Sequence, residues 1–164
     1  MAQILNIMIG LPGSGKSTFC KKDISEWGEG VWVSRDAVRF SILKPTDAYF
    51  AKETLVFNTF IDIANNAIAN HDVVYIDATH TNAASRFKLL RRLNLTGEEE
   101  ICYYFFDVPI EECLRRNRGR EGREKVPEHA IRNMEANSQM YITEAEKAAY
   151  HPIEYRVDFN GEVE

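Results

Sequence analysis

The chain has 164 residues, of which 45% are hydrophobic and 27% charged, and its formal net charge is −5. That length gives a single domain, residues 1–164, with a sizeable core, and the acidic balance excludes a protein that coats nucleic acid through a uniformly positive surface. The apolar runs are too short for a membrane span and the N-terminus does not read as a leader, so the expectation is a cytoplasmic protein without membrane association.

Ile4, Leu5, Ile7, Met8 and Ile9 form a nearly continuous apolar run, which suits a parallel strand covered on both faces. It leads directly into Gly10-Leu11-Pro12-Gly13-Ser14-Gly15-Lys16-Ser17, which meets every fixed position of the phosphate-binding pattern G-x-x-x-x-G-K-[ST]. The glycines let backbone N–H groups turn inward around phosphate oxygens, and the segment Gly13-Ser14-Gly15 is the expected cradle. Lys16 would place a charge on the β- and γ-phosphates, Ser17 would offer a hydroxyl to Mg²⁺, and a helix over Ser17–Ile24 would aim its positive end at the anion. The motif therefore predicts a nucleoside triphosphate, such as ATP, with its metal ion.

A turn at Trp27-Gly28-Glu29-Gly30 precedes a second strand, Val31–Val33, which ends at Ser34-Arg35-Asp36. A short helix is predicted over Ala37–Leu43, broken by Lys44-Pro45-Thr46-Asp47. A long helix follows over Ala48–Asn70, with Val56, Phe60, Ile63 and Ala67 on its core face. Val73–Ile76 is the third strand, closed by Asp77, and the polar loop 78–82 holds His80, expected to be exposed or else to serve as a ligand. The next helix, Ala83–Leu93, would turn Phe87, Leu90 and Leu93 inward and leave Arg86, Lys88, Arg91 and Arg92 around a solvated face. Ile101–Phe106 is the fourth strand, and Pro109 with Glu111 and Glu112 starts another helix. That helix dissolves into Arg118-Gly119-Arg120-Glu121-Gly122-Arg123. Pro127 opens a long helix whose Ile131, Met134, Tyr141, Ala145 and Ala148 keep phase, and Ile153–Phe159 would be the last strand. Strands alternating with helices imply an α/β fold with a parallel sheet of about five strands wrapped on both faces. Cys20, Cys102 and Cys113 are odd in number and widely spaced, which fits buried free thiols better than a disulfide framework or zinc site.

In such a sheet the strand ends open onto one crevice, so Asp36 and Asp77 should lie near the phosphate loop. One carboxylate there can accept the proton of an attacking hydroxyl and the other can orient Mg²⁺ through its water shell. Asp36 is equally suited to capping the helix at Ala37, with Arg39 as its surface ion-pair partner. The arginine-rich segment at about 117–126 reads as a lid whose glycines give mobility and whose arginines grip phosphates, or else as a solvated loop neutralised by Glu121 and Glu124.

Gly10 to Thr18, Ser34-Arg35-Asp36 with Arg39, Asp77-Ala78-Thr79, Arg86, Phe106-Asp107-Val108-Pro109, Arg116-Asn117 and Val126-Pro127 together resemble, in order, the 5′-kinase domain of bacteriophage and bacterial polynucleotide kinases. The resemblance implies a phosphate-loop kinase of the adenylate-kinase-like kind, which transfers the γ-phosphate of ATP to the 5′-hydroxyl end of DNA or RNA. By resemblance Lys16 and Ser17 or Thr18 serve ATP and Mg²⁺, and Asp36 is the general base. Arg39 holds the 3′-phosphate of the terminal nucleotide, Asp77, Thr79 and Arg86 face the acceptor, and Arg120 and Arg123 are the lid arginines. His80 departs from the family, which usually places Asn after Asp-Ala-Thr. Two alternatives share the donor half: a kinase acting on a nucleoside, another small molecule or a hydroxymethylated DNA base, and a nucleotide-binding module without transfer activity.

Overall fold

The computed structural model describes residues 2–164. Five parallel strands form the centre: β1 (Ile4–Ile9), β2 (Val31–Ser34), β3 (Val73–Asp77), β4 (Glu100–Phe106) and β5 (Ile153–Val157), in the spatial order β2-β3-β1-β4-β5. Among the described residues there are seven α-helices, α1 (Lys16–Trp27), α2 (Arg35–Ile42), α3 (Glu53–Asn70), α4 (Ala83–Arg92), α5 (Ile110–Arg118), α6 (Glu128–Ala136) and α7 (Glu144–Tyr150), and one 3-10 turn over Gly122–Glu124.

The apolar run of β1 divides between two cores because successive side chains point to opposite faces of the sheet. Leu5, Ile7 and Ile9 pack with Val74, Ile76, Tyr103 and Phe105 against α3 and α4, whereas Met8 packs with Tyr75 and Phe106 against Phe19 and Cys20 of α1. This is the three-layer arrangement expected of a phosphate-loop kinase fold. The chain leaves β1 toward β2 on one side and later crosses to β4 on the other, so the C-terminal ends of β1 and β3 border a topological switch point, where ligands of open α/β sheets bind. Gly10 N–H donates to the Thr79 carbonyl at 2.9 Å and ties the two strand ends together there.

Three expected elements differ. The long helix begins at Glu53, with turns over 45–52, and its buried face is centred on Phe57, Phe60, Ile61 and Ala64. Val56 and Ala67 are buried as expected, but Ile63 falls outside the arc and is 45% exposed. On α4, Leu90 is buried as expected, as is Leu93 just past the helix end, but Leu89 is buried with them and Phe87 is only half-buried, against Tyr150. The helix opened by Pro127 stops at Ala136, because Thr143 caps a new one: Thr143 Oγ1 accepts from Glu146 N–H, and Glu146 Oε2 accepts from Thr143 N–H at 2.9 Å. All three cysteines are buried and free. No helix among the described residues is long and apolar enough to cross a membrane.

Candidate active site

The loop after β1 turns sharply because Gly13 (φ 84°) and Gly15 (φ 97°) take the left-handed conformation. A Cβ on Gly13 would also stand 2.7 Å from the Cys113 carbonyl oxygen, so space and conformation both require glycine there. Gly15 caps α1 without a side-chain hydrogen bond, and the helix N-terminus faces the cavity with its first N–H groups free for an anion. The buried Lys16 ammonium donates to the Leu11 carbonyl at 2.8 Å. Burial lowers its pKa, with Asp77 and Asp36 pulling the other way.

Ser17 Oγ donates to Asp77 Oδ2 at 2.6 Å, and the Trp32 indole N–H donates to the same oxygen at 2.9 Å. The end of β3 is thereby fixed to the phosphate loop on one side and to β2 on the other.

The facing wall comes from α2 and the turn before α3. Ser34 caps α2 by accepting from Ala37 N–H at 3.1 Å. The capping task considered for Asp36 therefore belongs to Ser34, and the Asp36 carboxylate stays half-exposed on the cavity wall. Arg39 is buried and forks onto Glu53 through Nε at 3.0 Å and Nη2 at 2.8 Å. Its Nη1 donates to Asp36 and, at 3.0 Å, to the Tyr49 hydroxyl oxygen, while Tyr49 O–H donates to Asp36 Oδ1 at 2.7 Å. Burial works against the Arg39 charge, but Tyr49, Asp36 and Glu53 outweigh it and raise its pKa. Glu53 also accepts from Arg35 at 3.0 Å. Tyr49 and Glu53 were not singled out from the sequence, since nothing local marks residues ten and fourteen positions beyond Arg39 as its partners.

Both walls border one cavity of about 280 Å³, which also takes in Thr18, Thr79 and Arg120. A second cavity, of about 370 Å³, lies behind the loop, where Ser14, Thr18, Arg116 and Phe159 are brought together. Arg116 donates to the Gly13 carbonyl at 3.2 Å, and its guanidinium lies 5.4 Å from the Phe159 ring centre. Arg120 borders both cavities.

The remaining predicted residues are elsewhere. Arg86 is completely buried: its guanidinium grips Glu146 at 2.6 and 3.2 Å and donates to the carbonyls of His80, Gln139 and Tyr141. It has no surface on the cavity, so neither the solvated face nor the acceptor contact expected of it is formed. Arg123 is exposed and donates to the Leu43 carbonyl at 3.0 Å beside Phe40, away from the phosphate loop. In the lid, Arg118 pairs with Glu128 rather than with Glu121 or Glu124. The lid's two ends are joined by Asn117, which donates to the Val126 carbonyl at 2.8 Å and accepts from Val126 N–H at 2.9 Å.

His80 is 4% exposed, not solvated, and burial pushes its pKa down to about 3. Its φ is 45°, a left-handed conformation in which His, like Asn, is enriched, and its Nδ1 lies 3.1 Å from the Met8 carbonyl oxygen. His80 does not line the cavity, whose wall on this loop is Asp77, Ala78 and Thr79.

A family model described as an AAA domain matches residues 5–140. Among solved structures, a chain of the Pnkp1/Rnl/Hen1 RNA repair complex is similar with 28% identity and a TM-score of 0.68, over 81% of this chain and 43% of that one. A gluconokinase from Sinorhizobium meliloti 1021 is similar in fold at 12% identity, TM-score 0.57, over 94% and 82% of the two chains. A sugar kinase from Janibacter sp. HTCC2649 is likewise similar at 16% identity, TM-score 0.63, over 98% and 87%. The chain spans about two fifths of the length of the repair-complex chains it matches. No curated protein matches.

Proposed function

The chain belongs to the AAA domain family, and from that membership and the geometry of the cavity we propose that it is a polynucleotide 5′-hydroxyl kinase, using ATP as phosphate donor. The observation that carries the proposal is the placement of the Asp36 carboxylate, held by Arg39 and Tyr49, across one cavity from Lys16 and Ser17. The likeness to a chain of an RNA repair complex supports a nucleic-acid acceptor.

The phosphate loop and the α1 N-terminus bind the triphosphate, with Lys16 on the β- and γ-phosphates. Asp36 accepts the proton of the acceptor 5′-hydroxyl as that oxygen attacks the γ-phosphorus in line and ADP departs. Arg39 and Tyr49 fix the carboxylate in position, and Glu53 fixes Arg39, so that little reorganisation is needed during transfer. Arg39 is buried with its donors engaged, so it would hold a phosphate on the terminal nucleotide only by releasing Asp36 or Tyr49. Arg120, between the two cavities, can reach over the donor phosphates, whereas Arg123 reaches them only after releasing Leu43. Arg116 and Phe159 form the flat, cationic and aromatic flank on which a nucleotide base can stack.

Among the described residues no group of three or more His, Cys, Asp or Glu could hold a metal ion unaided. The Ser17 hydroxyl backed by the Asp77 carboxylate fits Mg²⁺, which keeps much of its water and takes few protein oxygens. Bound there with the phosphates, it would neutralise charge on the β- and γ-oxygens.

The test is transfer from γ-labelled ATP to a panel of 5′-hydroxyl oligonucleotides, nucleoside 3′-monophosphates, nucleosides, hydroxymethylated duplexes and polyols. The expected result is label on 5′-hydroxyl ends. Label on a polyol or nucleoside with none on any 5′-hydroxyl end would overturn the polynucleotide acceptor, and ATP binding without transfer to any of them would point to a binding module.

A further inference from the structure

The basic residues of α4 are not accounted for by the cavity. Lys88, Arg91 and Arg92 are exposed, and none has a carboxylate within ion-pair distance among the described residues. Aromatic rings lie beside all three instead, and Arg92 also donates twice to Asn58 Oδ1 at 3.3 Å. The Lys88 ammonium lies 4.5 Å and the Arg92 guanidinium 5.6 Å from the centre of the Phe57 ring, and Arg91 lies 5.0 Å from Phe87. The same Phe57 ring has a third cation at 5.2 Å, Arg35, which borders the Asp36 cavity. Four cations therefore line a path from the acceptor side of the cavity, over Phe57, onto the outer face of α4; Arg35, at the cavity end, is paired with Glu53 at 3.0 Å, and the three on α4 have no carboxylate partner among the described residues.

Arg35 adds a second observation. Its Nε is the one buried side-chain donor without a hydrogen-bond partner among the described residues, a state that costs free energy until an acceptor arrives. A small rotation of this guanidinium toward the cavity would present that N–H to an anionic oxygen.

Resting on the 5′-kinase reading, we propose that Arg35, Lys88, Arg91 and Arg92 form a track for the phosphodiester backbone of a single strand, which enters the cavity by its 5′ end and continues over α4. The partner is a polynucleotide and not merely a nucleotide, because Lys88, Arg91 and Arg92 are not among the residues that line the cavity. A net-negative protein would otherwise repel such a strand, and a few cations beside the mouth are enough to guide its end. Side chains fixed over aromatic rings lose less freedom on meeting phosphates than free ones would.

The test compares a strand of about ten nucleotides with a nucleoside 3′-monophosphate as acceptor, using the wild type and the combined variant Lys88→Gln, Arg91→Gln, Arg92→Gln, in RNA and DNA arms across a salt series. The expected result is a KM for the strand raised roughly tenfold or more at low salt, with a salt slope shallower by about 2 to 3, and an unchanged KM for the monophosphate. An unchanged KM and salt slope for the strand, or an equal rise for both acceptors, overturns the track while leaving the kinase reading intact. Labelled-strand binding by anisotropy separates the opposite failure: binding that depends on the three cations, without transfer to any 5′-hydroxyl, overturns the kinase reading and retains the track.

Discussion

Two arginine–carboxylate–tyrosine clusters on this sheet have nearly the same chemistry and opposite surroundings. In one, Arg86 grips Glu146, whose Oε1 also accepts from Tyr103 O–H at 3.1 Å, and both charged side chains are wholly buried. In the other, Arg39 grips Glu53 and Asp36, and Tyr49 donates to Asp36, but Asp36 is half-exposed on the cavity wall. The sealed cluster spends every donor on the protein and joins α4, β4 and α7. The open one satisfies its arginine equally well yet leaves a carboxylate free to meet a ligand. Burial of the acid, not the identity of the arginine's partners, separates a structural ion pair from a candidate catalytic one.

The largest expected effect breaks the open cluster chemically without disturbing it physically. Asp36→Asn should lower kcat by about 10²–10⁴-fold, the usual contribution of a general base, with ATP affinity and thermal midpoint nearly unchanged. Paired kinetics and calorimetry check this, and an unimpaired kcat would remove Asp36 from the chemistry.

The sealed cluster should respond in stability instead. Arg86→Ala leaves Glu146 as an uncompensated buried charge and should cost about 3–5 kcal/mol in urea unfolding. Replacing both partners, as Arg86→Met with Glu146→Leu, should recover much of that loss. The double variant should keep wild-type KM for the acceptor; a raised KM with normal stability would show that Arg86 does reach the substrate.

The smallest effect sharpens the same contrast through His80, whose carbonyl Arg86 holds. In the unfolded chain this imidazole takes a proton near its ordinary value of 6.5, whereas burial keeps it neutral down to about 3 in the folded protein. The unfolded state therefore binds more protons in that window, and stability must fall as pH falls through it. Between pH 7 and 4.5 the loss from this group is about 2–3 kcal/mol. His80→Asn, which keeps a residue tolerant of positive φ, should flatten that part of the stability profile measured by thermal melts across pH.

Much of this architecture was legible in the sequence because its signals are local. The β1 run, the phosphate loop and the ends of β2 and β3 are each encoded within a few residues, and the crevice follows from strand alternation. The two clusters were not separable, since Arg39 and Arg86 are both arginines set a short way beyond a strand end. Only the arrival of Glu53 and Glu146 from distant elements distinguishes them. The break between α6 and α7 was masked by hydrophobic residues that happen to keep helical phase across it. Thr143-Glu144-Ala145-Glu146 nonetheless carried the capping pattern that starts the second helix. His80 is hidden for another reason: a polar loop predicts exposure, while this one folds beneath the end of β1.

The Asn117 clamp bears on how this kinase fold can diversify. Because one side chain bonds both backbone groups of Val126, the arginine segment is a closed excursion whose two ends are fixed to each other and not to its tip. Residues can be gained or lost within 118–125 with little strain passed to α5 or α6, since doubling such a loop costs only about 0.6 kcal/mol. The position of Arg120 on the border of the two cavities can thus be retuned over evolutionary time while the phosphate loop stays the same.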